Sequence, residues 1–276
     1  MDLGLRNKSV MVAAASKGIG FACARTFLNE GARVSICARG KAELEQARAG
    51  LARTSGANCV LAVPTDLTRA ADVDLWLQRT LEQFQTVDVL VASVGGPPPG
   101  SWDDIQNDSQ WQHAFELTVL TTVRLIRAVI PTMREGGGGR IVTIQSSSVK
   151  EPIADMLLSN SLRPGVVGLA KTLASELARD NIQINTVAPG RIATDRLEQS
   201  LVDHARKRGP VAGLIARTPI LGSRLLTRIA SRDIPTQRLG TAEEVANMIA
   251  FLSSDRASYV TGSTISVDGG LQRSLW

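Results

Sequence analysis

The sequence predicts an α/β protein built on a doubly wound parallel sheet of seven strands. Three observations lead there. Short apolar segments recur at SVMVAAA (9–15), ARVSICA (32–38), CVLAV (59–63), VDVLVAS (87–93), RIVTIQS (140–146), QINTVAP (183–189) and TISVDGG (264–270). Most are near-continuous rather than alternating, as expected of parallel strands covered on both faces. Helical periodicity fills the intervals: Ile19, Cys23 and Phe27 recur every four residues, and Val245, Met248, Ile249 and Leu252 follow i, i+3, i+4, i+7. Finally, a turn of small residues, AAASKGIG (13–20), joins the first apolar segment to the first helix. Right-handed crossovers carry the loops after each strand to one edge of such a sheet, where ligands bind. With no linker and no internal repeat, residues 1–276 read as one domain, with a variable stretch at about 195–233.

The first turn places Ser16, Lys17, Gly18, Ile19 and Gly20 at a helix N-terminus. Backbone N–H groups there suit a pyrophosphate, and Gly18 and Gly20 allow it to come close. Ala14 stands where a tighter turn would prefer glycine. The second strand ends ICARG (36–40). An acid at its end would bind an adenosine ribose 2′-hydroxyl. This chain has Ala38 and Arg39 instead. An arginine suits a 2′-phosphate, and Lys17 adds a second charge, so the expected dinucleotide is NADP(H). The alternative is that both are solvated surface cations. Further on, GGGG (136–139) has no strand before it and no helix after it. It reads as a tight helix-to-strand turn, not a phosphate cradle.

The bulk properties narrow the function classes. The chain is 43% hydrophobic and 21% charged with net charge +5, ordinary for a protein with a sizeable buried core. No apolar run reaches the roughly 18 residues of a membrane span. The N-terminus MDLGLRNKSV lacks a basic segment followed by an apolar one, so secretion is not expected. Cys23, Cys37 and Cys59 form no C-x-x-C pair and read as reduced thiols of a cytoplasmic protein. His113 and His204 are the only histidines, so no metal site is expected. From Arg206 to Arg232 there are seven Lys/Arg and no acid. Arg217, Arg224, Arg228 and Arg232 fall at helical spacing, as do Leu214, Leu221, Leu225 and Ile229, which predicts an amphipathic helix or helix pair with a basic face. Aromatics total 4% and none interleaves with these cations, so nucleic acid is not an expected partner.

These segments together resemble the short-chain dehydrogenase/reductase family, and most of all its 3-oxoacyl-carrier-protein reductase branch. The resemblance spans nearly the whole chain. AAASKGIG is similar to the family's TGxxxGIG, and TDL (65–67) to the segment whose Asp66, with Leu67, contacts adenine. LVASVGG (90–96), with Ala92, Ser93 and Gly95, sits where the family has VNNAGG. APGRIAT (188–194) resembles the PGxIxT segment, so Pro189, Gly190, Ile192 and Thr194 are implied to hold the nicotinamide amide and phosphates. The stretch 234–270 matches the family's C-terminal signature almost position by position. The resemblance implies a Rossmann fold, and a homodimer or homotetramer built through long helices at 109–134 and 157–179. It also implies a substrate lid at about 195–233, whose basic face would suit an anionic substrate or, alternatively, solvent or another subunit.

The family's catalytic residues are Asn, Ser, Tyr and Lys. Thirteen residues on from Ser146, at the end of the fifth strand, lies Ser159, and five back from Gly168 lies Arg163. The two counts agree, so SNSLR (159–163) occupies the place of YxxxK, and Thr118 in FELTVL falls at the Asn position. Only Ser146 of the four is retained. The chain's single tyrosine, Tyr259, belongs to the C-terminal signature, and Lys150 and Lys171 are out of register. Arg163 keeps a positive charge that can donate to ribose hydroxyls, but a guanidinium does not titrate as a relay. A serine at 159 is a far poorer acid than a tyrosine, whose pKa is about 10. Ser146, helped by Ser147 or Ser148, can still polarise a carbonyl. Otherwise the serines only cap and solvate a loop. The expectation is an NADP(H)-dependent oxidoreductase acting on a small carbonyl or alcohol, such as a 3-oxoacyl thioester, with an atypical proton-delivery site. The alternative is a catalytically silent NADP(H)-binding protein of the same fold.

Overall fold

Alternation along the strands sets the architecture, because successive side chains point to opposite faces. Val10 and Val12 join one core cluster, and Met11 and Ala13 join the other. Both faces are therefore apolar and both are covered. The computed structural model describes residues 1–207 and 227–275. Its strands are β1 (Ser9–Val12), β2 (Arg33–Ala38), β3 (Val60–Pro64), β4 (Val89–Ser93), β5 (Gly139–Ile144), β6 (Ile182–Pro189) and β7 (Thr264–Val267). They form one sheet in the order β3-β2-β1-β4-β5-β6-β7, parallel throughout. This is the seven-stranded Rossmann arrangement expected from the pattern.

The helices are α1 (Gly18–Asn29), α2 (Lys41–Ser55), α3 (Ala70–Phe84), α4 (Asp108–Phe115), α5 (Thr121–Glu135), α6 (Leu157–Leu177), α7 (Asp195–Lys207) and α8 (Ala242–Leu252). Cys23 and Phe27 of α1, Leu44 and Leu51 of α2, and Val245 and Ile249 of α8 fill one face. Trp76 of α3, Leu125, Val129 and Met133 of α5, and Ala170 of α6 fill the other. The i, i+3, i+4 spacing of α8 thus seats it against the sheet, and a capping box of Thr241 and Glu244 starts it. Burial pushes the Cys37 thiol up to about 12 and Cys23 higher still, so neither is reactive. Among the described residues no helix is long and apolar enough to cross a membrane.

Two details depart from the apolar pattern. The first strand stops at Val12, because Ala14 already has a left-handed φ of 50° and turns the chain out of the sheet. The helical stretch expected at 109–134 is not uniform: a π-turn, Glu116–Leu120, separates α4 from α5. The GGGG segment does turn α5 into β5, with Gly137 at φ 78° and Gly138 at φ 146°. Of the lid pattern, Arg217, Arg224, Leu214, Leu221 and Leu225 lie outside the described residues. Arg228, Ile229 and Arg232 are exposed.

Candidate active site

Parallel registers bring the strand ends to one edge. Val12 sits level with Ile36 and Val91, Ala38 with Pro64, and Ser93 with Ile144. Backbone hydrogen bonds carry the order past the strands: Ala13 N donates to Val91 O (3.0 Å), Ala15 N to Cys37 O (2.9 Å) and Thr65 N to Ala38 O (3.0 Å). The order of strands reverses between β1 and β4, the switch point at which open α/β sheets bind ligands.

The glycine turn has the shape a diphosphate needs. Gly18 has φ 60°, and a Cβ built there meets only Thr194 Cγ2, 3.8 Å away, so the space above it is open. Gly20 has the opposite constraint: a Cβ would lie 2.5 Å from Ala14 O and 3.0 Å from Ala15 Cα, which only glycine avoids. Lys17 precedes α1 as its N-cap, with no side chain covering the first N–H groups. Its ammonium lies 3.9 Å from Asp195 Oδ2 with both side chains largely exposed, a weak pair. Ser16 and Ile19 complete the turn, both part-exposed. Across the edge, Asp66 Oδ1 accepts from Thr68 N (3.0 Å) and Thr68 Oγ1 (2.7 Å). Those bonds, and then the Arg39 and Arg69 charges, hold its carboxyl below the usual range. Arg39 is exposed and makes no hydrogen bond among the described residues. Leu67 lends its carbonyl to Thr121 Oγ1 at 3.3 Å. Ala92 and Ser93 end β4, and Gly95 packs on Leu117. Pro189 ends β6, and Gly190 approaches Asp268 so closely that a Cβ would lie 2.7 Å from Asp268 Cβ. Ile192 is buried, and Thr194 is half-buried facing Gly18. The open face of Gly18, and Ala38 and Arg39 in place of an acid at the end of β2, fit a phosphorylated dinucleotide.

The four residues expected at the catalytic positions sit around the end of β5. Ser146 follows the strand and caps a short 3₁₀ turn, Ser147–Val149, its Oγ accepting from Ser148 N at 3.2 Å. Capping occupies one lone pair and leaves the hydroxyl hydrogen free. Ser147 and Ser148 are buried, not solvated as a loop reading expects. Ser148 Oγ and Ser159 Oγ are hydrogen-bonded at 3.1 Å. Arg163 stands one turn further along α6, so its Nε reaches back to Ser159 Oγ (3.1 Å). Its Nη1 donates to Gln145 Oε1 (3.2 Å). Thr118 lies in the π-turn; its Oγ1 is buried without a partner, and its carbonyl accepts from Thr122 Oγ1 at 2.8 Å. Such turns inside helices are frequent at functional sites.

Arg163 is the unusual member. It is buried at 6% exposure, and both hydrogen bonds it makes go to neutral groups. Burial, and then the nearby Arg196 charge, lower its pKa to about 10. The sequence reading missed Gln145, Arg196, Asn160 and Gln272. Gln145 Nε2 is buried and unpartnered beside Arg163. Asn160 clamps the loop before α6, accepting from Ile153 N (3.1 Å) and donating to Ile153 O (2.8 Å). Gln272 Nε2 donates to Ser147 O at 2.5 Å and so ties the end of the chain to the serine loop. Gln145, next to Ser146 at the end of an apolar run, was the one visible signal. The others come together only through the fold.

Comparison with known proteins assigns the chain to a family. The family model for short chain dehydrogenases matches residues 8–204. The chain belongs to that family. A second model, described as enoyl-(acyl carrier protein) reductase, matches residues 207–272. The chain is 29% identical over 275 residues to the uncharacterized oxidoreductase YvrD of Bacillus subtilis, covering 100% of both chains. It is 32% identical over 272 residues to the 3-oxoacyl-(acyl-carrier-protein) reductase FabG of Escherichia coli, covering 98% of this chain and 99% of that one. Among solved structures, the L-sorbose reductase of Gluconobacter frateurii, complexed with NADPH and L-sorbose, superposes with a TM-score of 0.89. That match has 30% identity and covers 100% of both chains.

Proposed function

We propose that this chain is an NADP(H)-dependent carbonyl reductase whose substrate oxygen is polarised by Ser146 in place of a tyrosine. The observation that carries the reading is the connected set Ser146, Ser148, Ser159, Arg163 and Gln145, which keeps hydrogen-bond donors at the position of the proton donor. The reductase complexed with NADPH, similar over the whole chain, supports the same cofactor here. NADPH, when bound, supplies the hydride. The glycine turn, with Ser16 to Gly20, receives the diphosphate, and Arg39 with Lys17 the 2′-phosphate. Asp66, Leu67, Ala92, Ser93 and Gly95 border the adenosine and ribose, and Pro189, Gly190, Ile192 and Thr194 the nicotinamide half.

The chain's own residues then do three things. Ser146 donates its free hydroxyl hydrogen to the carbonyl oxygen, a contribution that grows as negative charge develops there. A guanidinium only donates, so Arg163 directs its N–H at Ser159, which leaves the Ser159 hydrogen for Ser148. The network thus orients hydroxyls but holds no group that titrates near neutrality, so the final proton comes from water. General acid catalysis contributes about 10²–10⁴-fold, and turnover is slower by some of that factor. We place the protein in the cytoplasm as a homodimer or homotetramer.

A silent cofactor-binding protein is the second reading, favoured by the absence from SNSLR of any group that titrates near neutrality. NADPH oxidation over a panel of ketones separates the two. Ser146→Ala should lower kcat without changing NADPH affinity. Ser159→Tyr with Arg163→Lys should raise turnover on a generic 3-oxo ester. Equal inertness of wild type and Ser146→Ala, with NADPH still bound tightly, establishes the silent reading instead.

A further inference from the structure

Two arginines converge on Gly96 with no acid between them. A Cβ built on Gly96 would lie 2.9 Å from Arg163 Nη2 and would overlap the guanidinium of Arg196. A side chain there would push the flexible end of Arg196 aside. Arg163 is nine-tenths buried, and Nε and Nη1 are engaged by Ser159 and Gln145. Nη2, the nitrogen that faces Gly96, has no hydrogen bond among the described residues. Arg196 is the second residue of α7. It is exposed overall, but its charged end turns inward over Gly96, and burial of that end lowers its pKa. Its chain neighbour Asp195 lies against Lys17 instead. Among the described residues neither arginine has an ion-pair partner.

Like charges do not gather in a partly dry place without compensation. A buried cation held only by neutral groups is costly, and a bound anion removes that cost. Two guanidinium edges also present the paired N–H geometry that matches a carboxylate. Gln145 Nε2, buried and unpartnered on the same network, adds a third donor. The position of this cluster limits what it can bind. Gln145 is the residue before Ser146, and Ser146, Ser148, Ser159 and Arg163 form one hydrogen-bonded chain. Ser146 and Arg163 thus lie on one connected network, an arrangement suited to a carbonyl and an anion carried by one small molecule.

We propose that Arg163 and Arg196 together hold the carboxylate of the substrate, and that this reductase acts on short 2- or 3-oxo carboxylic acids. The proposal rests on the carbonyl-reductase reading and specifies its substrate class. The other source of an oxyanion at this edge is the diphosphate of the cofactor, and the test separates the two.

The protein saturated with NADP⁺ is titrated calorimetrically with malonate and with its neutral analogue malonamide. Malonate should bind at least about tenfold more tightly, the worth of one charge-assisted hydrogen bond. Arg196→Gln and Arg163→Gln should each erase about tenfold of that affinity, while NADP⁺ binding to Arg196→Gln changes by less than about threefold. Arg196 lies on an exposed helix, so its variant remains informative even if Arg163→Gln folds poorly. Equal binding of malonate and malonamide overturns the proposal. So does an Arg196→Gln protein that loses inorganic pyrophosphate and NADP⁺ but keeps malonate, because the pair would then serve the cofactor. Absence of NADPH oxidation with every ketone sinks the reductase reading alone, since malonate binding is measured without turnover.

Discussion

Arg163→Gln should make the cofactor-free protein more stable. Folding lowers the guanidinium's pKa from its usual range to about 10, first through burial and then through Arg196. At about 1.4 kcal/mol per pKa unit, the charged form is disfavoured in the fold by about 3 kcal/mol. For a base whose folded pKa is depressed, this penalty is present in full below pH 10, where both states are charged. It fades only as pH rises from about 10 towards the guanidinium's usual range, where the fold alone releases its proton. A measurement at neutral pH therefore sees all of it. Against this stand the two hydrogen bonds to Ser159 and Gln145, worth about 1 kcal/mol each. Glutamine retains an N–H donor for one of them. The net gain is about 1–2 kcal/mol, or a rise in Tm of about 2–4 °C for each kcal/mol in a chain of this size. Calorimetry or circular dichroism on cofactor-free wild type and variant, at equal protein concentration, reads it directly. A loss of about 2 kcal/mol or more would falsify the reasoning, since only a cation with a counter-charge stabilises a fold that strongly.

Other outcomes follow from the same geometry. Arg39→Asp should weaken NADPH by at least about tenfold and leave NADH unchanged or tighter, because an exposed arginine with no competing bond is replaced by a ribose-binding acid; equal NADPH and NADH affinities in wild type would refute the 2′-phosphate assignment. Ala14→Gly should raise stability by about 0.5–1 kcal/mol, since the left-handed φ of 50° disfavours an L-residue by about 1–2 kcal/mol and glycine returns part of that as chain entropy; an unchanged melting curve would mean that the turn relaxes elsewhere. Gly20→Ala should abolish NADPH binding and lower Tm, because its Cβ would meet backbone at 2.5 Å, an obstacle no side-chain rotation removes; a variant that binds normally would show that α1 can shift away from β1.

Much of this protein was legible without coordinates. Near-continuous apolar runs separated by helical spacing specify a parallel sheet with two covered faces, and the structure builds seven such strands. The glycine turn, its imperfect Ala14, the arginine just after β2 and the SNSLR segment in place of YxxxK are local in the chain, so short-range chemistry reveals them. Counting from two anchors placed Ser159 and Arg163 at one site, and both are buried there. Pairwise environment was not legible. Nothing local says that Ser148 meets Ser159, eleven residues on, or that Gln272 reaches Ser147 across the fold. Nor did the helical reading of 109–134 reveal the π-turn at Glu116–Leu120 that holds Thr118. The charge on Arg163 was plain from its identity. That it is desolvated, flanked by neutral groups and faced across Gly96 by Arg196 was decided by tertiary structure alone, because desolvation and like-charge proximity depend on which distant segments pack together.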